Sequence, residues 1–415
     1  MPARTNVRNA RRDQVIFQLT QLMHLLYTLT AYPPALGGAQ IHHHLLAQQM
    51  QQRGYSSQAV CHWDTNRTDW LLGTTLRAPT QPHHYTIDGI PVHRLGFSWR
   101  EKLRLAPWLP LYYPLMFLAL PPIANRIANH LDPYARSADL IHNVRMGREG
   151  ISYASLRAAR QHNIPFVFTP VHHPRWVGWR YQAYINLYRQ ADAVIALTPT
   201  EKRTLIELGV AAEKVHITGI GPVLAPQAEG DRFRKQRHIS GPMVLFLGQH
   251  YEYKGYQQLL AATSQVWQQF PETHFVFIGP AIRQSEQVFE PFSDPRIHRL
   301  GTVSLQQKTD ALAACNLLCV PSTQESFGGI YTEAWHFAKP VIGGKIAAIA
   351  DVIDEGQNGF LVQQEPGAIA ERICYLLRYP AQAEALGKAG QQKVKACYSW
   401  SQLAEKTMAA YHAVI

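Results

Sequence analysis

Two patterns of apolar positions alternate along this chain. Short unbroken apolar runs are separated by longer stretches in which apolar residues recur three or four positions apart. The first pattern predicts strands buried on both faces and the second predicts amphipathic helices. Their alternation predicts parallel α/β sheets. In the first half, strands are expected at 22–29, 57–62, 140–143, 165–169, 193–197 and 214–218, with shorter ones at 85–87 and 92–95. Helices are expected at 39–53, 150–162, 176–190 and 199–208. A second set follows, with strands at 243–247, 274–278, 296–300, 317–321, 341–342 and 360–362, helices between them and a last helix at 400–415. Residues 219–237 are rich in Gly, Pro and charge, which predicts a domain boundary there. The expected layout is a mobile basic arm at 1–13, a first Rossmann-like domain at 14–225, a second at 226–395, and a C-terminal helix at 396–415.

One segment breaks the rhythm. Residues 97–122 combine basic charge with Trp99, Trp108, Tyr112, Tyr113 and a long aliphatic stretch. Its prolines argue against one long helix, and a helix beginning near residue 111 is expected. Such a composition fits contact with an acidic membrane interface, or an apolar excursion packed between domains.

Composition narrows the partners. The chain has 415 residues, with 40 Lys+Arg against 29 Asp+Glu and a formal charge of +11. That balance favours anionic partners. No zinc-finger spacing and no RNP-type aromatic motif is present, so nucleic acid is not expected. The five cysteines, Cys61, Cys315, Cys319, Cys374 and Cys397, are scattered and odd in number, which fits reduced thiols in a cytosolic protein. No second Cys or His pair accompanies Cys315 and Cys319, so no metal site is expected. The stretch 15–29 is interrupted by Gln18, Gln21 and His24 and does not read as a signal peptide. No uninterrupted apolar run reaches the ~18 residues of a spanning helix. A cytoplasmic protein, peripheral at the inner membrane face, is the expectation.

The strongest chemical signal is Glu325-Ser-Phe-Gly-Gly-Ile-Tyr-Thr-Glu333, placed between an apolar run and a helical pattern. Phe327 sits just before the glycines. Gly328 and Gly329 let backbone approach a ligand, and a helix start near residue 330 aims free amides and a positive dipole end at the same point. A phosphate is the natural guest there. Glu325 and Glu333 are poor phosphate partners but good acceptors for sugar hydroxyls, so the stretch suits a ligand that is part phosphate and part polyol.

Gln249 and Lys254 follow another buried strand, and Lys254 can reach a phosphate as a point charge. A solvated lysine is the alternative. Gly37-Gly38 follows the first strand and can cradle a phosphate or sugar by backbone amides, or be a plain tight turn. His172 and His173 follow the strand at 165–169, where an imidazole can bond a sugar hydroxyl. His42-His43-His44 point in different directions on a helix, so a surface or packing role is expected for them.

These features together resemble a retaining glycosyltransferase of family 4, with the GT-B fold of two doubly wound Rossmann-like domains facing across a cleft. The resemblance rests on Gly37-Gly38, on Ala191-Asp-Ala-Val-Ile-Ala196 before Pro199, and on Lys254-Gly255 and 325–333. It also includes Asn358-Gly-Phe-Leu-Val362 and Tyr398-Ser-Trp400.

The resemblance implies a nucleoside-diphosphate-sugar donor and no metal requirement. It gives Glu333 the ribose hydroxyls and Glu325 the hydroxyls of the donor sugar. Backbone amides around Phe327, Gly328 and Gly329 would hold the sugar and β-phosphate, and Lys254 the leaving diphosphate. Gly37 and Gly38 would approach the donor from the other domain, and His172 or His173 would sit by the anomeric centre. The basic surface and residues 97–122 imply a lipid-linked acceptor.

The family usually carries an arginine where Gln249 stands, so a charged bidentate contact is replaced by a neutral one. Lys345 or Arg283 could compensate. Two other readings share the architecture: a nucleotide-sugar 2-epimerase, and a sugar- or partner-binding homologue weakened by Gln249.

Overall fold

The computed structural model describes residues 23–35, 37–67, 69–145, 150–173, 176 and 178–415. The expected arm at 1–13 and the beginning of the stretch 15–29 lie outside these residues. The described residues form two compact units. One comprises those within Met1–Ala196, Lys202–Thr218 and Leu403–Ile415, the other Leu197–Glu201 and Gly219–Gln402.

The first unit is built on an eight-stranded sheet. Its strands are β1 (His24–Ala31), β2 (Ser56–Trp63), β3 (His83–Ile87), β4 (Ile90–Arg94), β5 (Leu140–Val144), β6 (Phe166–Thr169), β7 (Ala193–Ala196) and β8 (Val215–Ile217), in the order β3-β4-β2-β1-β5-β6-β7-β8. Only β3 runs antiparallel, paired to β4 through a hairpin. The longer helices of this unit are α1 (Gly38–Gln52), α2 (Trp99–Leu105), α3 (Met116–Ala135), α4 (Ile151–His162), α5 (Gln182–Gln190) and α6 (Pro199–Glu207), whose first turn belongs to the other unit. The runs read as buried strands are so: β5, β6 and β7 have no exposed residue.

The segment at 97–122 departs from expectation. α3 starts at Met116 and continues through Pro121, Pro122 and Pro133. Each proline removes the amide that would bond the carbonyl four residues back. Those carbonyls belong to Phe117, Leu118 and Asn129, all exposed, so water can take the bonds. The opposite face, with Ile123, Ile127 and Leu131, is buried in the core of the unit, which offsets the loss.

The second unit holds six parallel strands: β9 (Met243–Leu247), β10 (His274–Ile278), β11 (Ile297–Gly301), β12 (Leu317–Val320), β13 (Val341–Gly344) and β14 (Gly359–Val362), in the order β11-β10-β9-β12-β13-β14. Its longer helices are α7 (Gly230–Gln236), α8 (Tyr256–Trp267), α9 (Arg283–Phe289), α10 (Leu305–Ala314), α11 (Gly329–His336), α12 (Pro366–Arg378) and α13 (Pro380–Lys393). The last helix of the chain, α14 (Trp400–His412), contributes to both units. α7 lies inside the stretch expected to be linker. Only Phe233 of it is buried, which leaves no apolar period to read.

Both sheets are doubly wound. Strand order reverses between β1 and β5 in the first and between β9 and β12 in the second. At such a reversal the connections leave to opposite faces, and a crevice opens beyond the carboxyl ends of the two strands. The loops after β1, β5, β9 and β12 are where ligands are to be sought.

Candidate active site

In the second unit, both loops at the reversal carry chemistry. β9 runs out into Gly248 and the exposed Gln249. It is drawn close to the end of β10, because a Cβ on Gly279 would collide with the Gly248 carbonyl. A single turn, Glu252–Lys254, then presents Lys254 before α8 begins. From the other side of the reversal, β12 leads to Glu325. The Lys254 ammonium donates to Glu325 Oε1. Both side chains are mostly buried, so the pair is a fixed feature of the loop ends and not a loose surface contact. A carboxylate has about four acceptor sites and an ammonium three donors, so each partner keeps capacity for a ligand.

The turn between Glu325 and α11 follows from local sterics. Gly328 has φ +81°, a left-handed conformation, and a Cβ there would run into the Tyr331 ring. Tyr331 is buried and donates its hydroxyl to the Val320 carbonyl at 2.8 Å, which ties the first turn of α11 back to β12. Phe327 is buried beneath the turn, edge-on to Tyr398 at 5.2 Å. The first turn of α11 carries no acidic residue, so its free amides meet an anion without competing charge.

Glu333 lies on α11 and is 6 % exposed. Its Oε1 accepts from Lys308 Nζ of α10 at 2.7 Å. Its Oε2 is buried and has no hydrogen-bond partner among the described residues. The Val223 amide acts on the carboxylate without reaching bonding geometry. Burial raises the carboxyl pKa above its usual range, against the pull of Lys308. A buried acceptor with spare lone pairs asks for a donor that the protein does not supply. Lys308 was invisible in the sequence. It sits on an ordinary helix 25 positions away, and nothing in its surroundings marks it.

His250, next to Gln249, was missed as well. It is fully buried, lies against Tyr256 and Phe289, and neither ring nitrogen has a partner among the described residues. Burial pushes its pKa down to about 4, with Arg299 adding to the effect. Lys345 is exposed at the end of β13. The Arg283 side chain lies outside the described part.

In the first unit, Gly37 caps α1 and Gly38 is its first residue, after β1. A Cβ on Gly38 would have nothing within 4 Å, so that side of the turn is open. The three histidines of α1 are all buried. His44 bonds the Tyr32 hydroxyl at 3.1 Å and Asp88 at 2.9 Å, and His43 donates to the Ala39 carbonyl at 2.8 Å. His43 also meets His142 edge-on. His142 in turn bonds Tyr411 at 2.7 Å and Thr169 at 2.8 Å, anchoring α14 to the sheet. These residues pack and connect. No group of three metal-ligating side chains gathers among the described residues.

His172 is 3 % exposed, with Nδ1 3.2 Å from the Tyr188 hydroxyl. Burial, and then the charge of Arg145, lower its pKa to about 4, so it is neutral at physiological pH. His173 is half-buried, edge-on to Trp176 at 4.7 Å. Beside His172 lies Arg145, at the end of β5. Its guanidinium is buried against Trp176 at 4.3 Å and Tyr184 at 4.2 Å. A buried cation beside the reversal was not foreseen, since its aromatic cage is assembled from residues far apart in sequence.

Two family models match the chain. The glycosyl transferase 4-like domain covers residues 37–221, and glycosyl transferases group 1 covers residues 241–379. Among curated relatives, the D-inositol 3-phosphate glycosyltransferase 1 of Catenulispora acidiphila is 28% identical over 243 residues, 54% of this chain and 58% of the relative. The chain spans about half the length of the curated relatives it matches.

Among solved structures, Anabaena HepE in complex with UDP and glucose superposes with a TM-score of 0.70 at 18% identity, over 94% of this chain and 100% of that one. The sucrose-phosphate synthase of Thermosynechococcus elongatus gives 0.70 at 20% identity, over 94% and 98%. The two doubly wound sheets are those of the GT-B fold, as the sequence led one to expect.

Proposed function

The chain belongs to the group 1, family 4 glycosyltransferases, and from that premise we propose that it moves a hexosyl group from a nucleoside-diphosphate sugar to an acceptor hydroxyl, with retention of anomeric configuration. The observation that carries the reading is the pairing of Lys254 with Glu325 across the β9/β12 reversal, beside a helix start free of acid. That arrangement offers positive charge for a diphosphate and a carboxylate for sugar hydroxyls within one contact distance. A relative of the same fold, HepE, has been seen with UDP and with UDP-glucose.

In this reading the diphosphate lies between Lys254 and the amides of Phe327, Gly328 and Gly329. Glu325 accepts from the donor sugar and Glu333 from the ribose. The bond from the anomeric carbon to the β-phosphate oxygen breaks, and the acceptor oxygen attacks from the same face. The acceptor proton passes to the departing phosphate, so no protein nucleophile is needed. The charge growing on the diphosphate is met by fixed donors that need no rearrangement. No metal is invoked. Gly37, Gly38, His172 and His173 keep the roles that the family resemblance gives them, with His172 acting as a neutral hydrogen-bond partner. Gln249 weakens the phosphate end, and the exposed Lys345 is the cation available to strengthen it. The apolar and basic segment at 97–122 supports an acceptor carried on a lipid at an acidic membrane surface.

The test is product analysis. Donor plus a lipid extract is expected to give a glycosylated lipid whose anomeric proton coupling matches that of the donor. Inversion would overturn the retaining assignment. Conversion of donor without any acceptor would instead identify an epimerase, and no consumption of any donor would favour a binding homologue.

A further inference from the structure

A cavity in the first unit lies apart from the candidate site residues described above. It measures about 1030 Å³ and lies among α3, α4 and α5. Much of its wall is apolar, with Leu115, Phe117 and Leu120 on one side and Leu156 on another, and amide side chains such as Asn125 and Asn186 stand among them. At its rim Phe117 is 70% exposed and Trp179 68% exposed, an unusual placement for two large aromatic side chains. Tyr113 is shared with a second apolar hollow of about 590 Å³, so the apolar surface continues beyond the rim.

Two arginines also line the cavity. Arg160 is held by Asp192 at 2.7 Å. Arg157 is exposed and has no ion pair among the described residues. The volume is at the upper end of the ~300–1,000 Å³ of small-molecule sites. A nucleotide or free sugar can bond the amide side chains of the lining but would set its other hydroxyls against Leu115, Phe117, Leu120 and Leu156. A hydrocarbon chain packs against those apolar side chains, and an anionic head group at its end meets Arg157.

We propose that this cavity holds the hydrocarbon chain of an anionic lipid, with Arg157 at the head group. The identification of that lipid as the carrier of the acceptor rests on the glycosyltransferase reading above; the binding itself does not. The cavity takes one chain out of the bilayer, which differs from the protein merely lying on the membrane surface.

The experiment uses the full chain without any donor, so its result is independent of the transfer reaction. Decyl, dodecyl and tetradecyl phosphate are titrated below their critical micelle concentrations, with dodecyl maltoside as the neutral comparison. One-to-one binding is expected, tightening by up to about fourfold per methylene, as expected if each one added is buried. Dodecyl phosphate is expected to bind more tightly than the maltoside, and Arg157→Glu to abolish that preference.

Phe117→Asp and Asn186→Trp alter exposed lining positions and are expected to weaken dodecyl phosphate at least tenfold, with unchanged circular dichroism. Should either variant misfold, the other still tests the site. No saturable binding of monomeric amphiphile, or attachment only to vesicles of acidic lipid, overturns the proposal. So does an affinity independent of chain length, or one retained in both lining variants.

Discussion

Replacing Glu333 by Gln separates a ligand clamp from a structural strut. The carboxylate is buried, pairs with Lys308 through Oε1, and keeps Oε2 unbonded. Burial raises its pKa. For an acid, a raised pKa in the folded state means that the fold holds the proton more firmly than the unfolded chain does. The stability tied to the protonated form is then present below the usual carboxylate range and is lost as pH rises through the folded pKa. Above the raised pKa the ionised carboxylate therefore works against the empty fold.

Gln keeps the shape, and its carbonyl can still accept from Lys308. Glu333→Gln is expected to leave the Tm of the empty protein unchanged or higher. Donor binding should respond in the opposite sense. Exchanging a charged for a neutral acceptor costs about 1–1.5 kcal/mol per hydrogen bond. Two ribose hydroxyls make that about 2–3 kcal/mol, or roughly 30- to 150-fold in Kd. Calorimetry of the donor and thermal melts of the empty protein measure both halves. Wild-type affinity should also fall as pH drops through the raised pKa, while the variant stays flat. A Tm lowered by several degrees with donor Kd within twofold of wild type would refute the clamp and make Glu333 a strut.

Three further outcomes are expected. Lys254→Ala should cut turnover at least tenfold, and steady-state rates on a donor that wild type consumes would measure it. Gln249→Arg should tighten donor binding by about fivefold, the worth of ~1 kcal/mol from replacing a neutral with a charged phosphate contact, read by the same calorimetry. Acid should unfold the protein steeply. His43, His172 and His250 have pKa values pushed down to about 4 and His62 to about 3, in each case chiefly by burial. Each takes up a proton on unfolding once pH falls below the unfolded value near ~6.5. Each therefore removes about 1.4 kcal/mol of stability per pH unit until its folded pKa is reached. Denaturant titrations at pH 7, 6 and 5 would show this, and a flat stability across that range would contradict it.

The central strands were legible because both of their faces are buried. Met243–Leu247 and His274–Ile278 are read from sequence with the bounds that the structure gives them. The glycine turn at 325–333 was legible because Gly328 has to adopt a left-handed conformation before a helix. Where sequence failed, tertiary context decided. The prolines of α3 read as breakers, yet the residues whose carbonyls they orphan are exposed to water. Lys308 and Arg145 carry ordinary local signals, and their partners are assembled only by the fold. The cavity beside α3 could not be read at all. A run of apolar residues gives the same composition whether its side chains fill a core or line a space.

The most direct measurement is calorimetric titration of the wild-type chain with UDP-, GDP- and ADP-sugars, each repeated on Lys254→Ala. One nucleotide series should bind at one site per chain, and the variant should lose at least tenfold in Kd. If no nucleotide sugar binds at millimolar concentration, or if the series that binds is indifferent to Lys254, the donor site is not at the β9/β12 reversal.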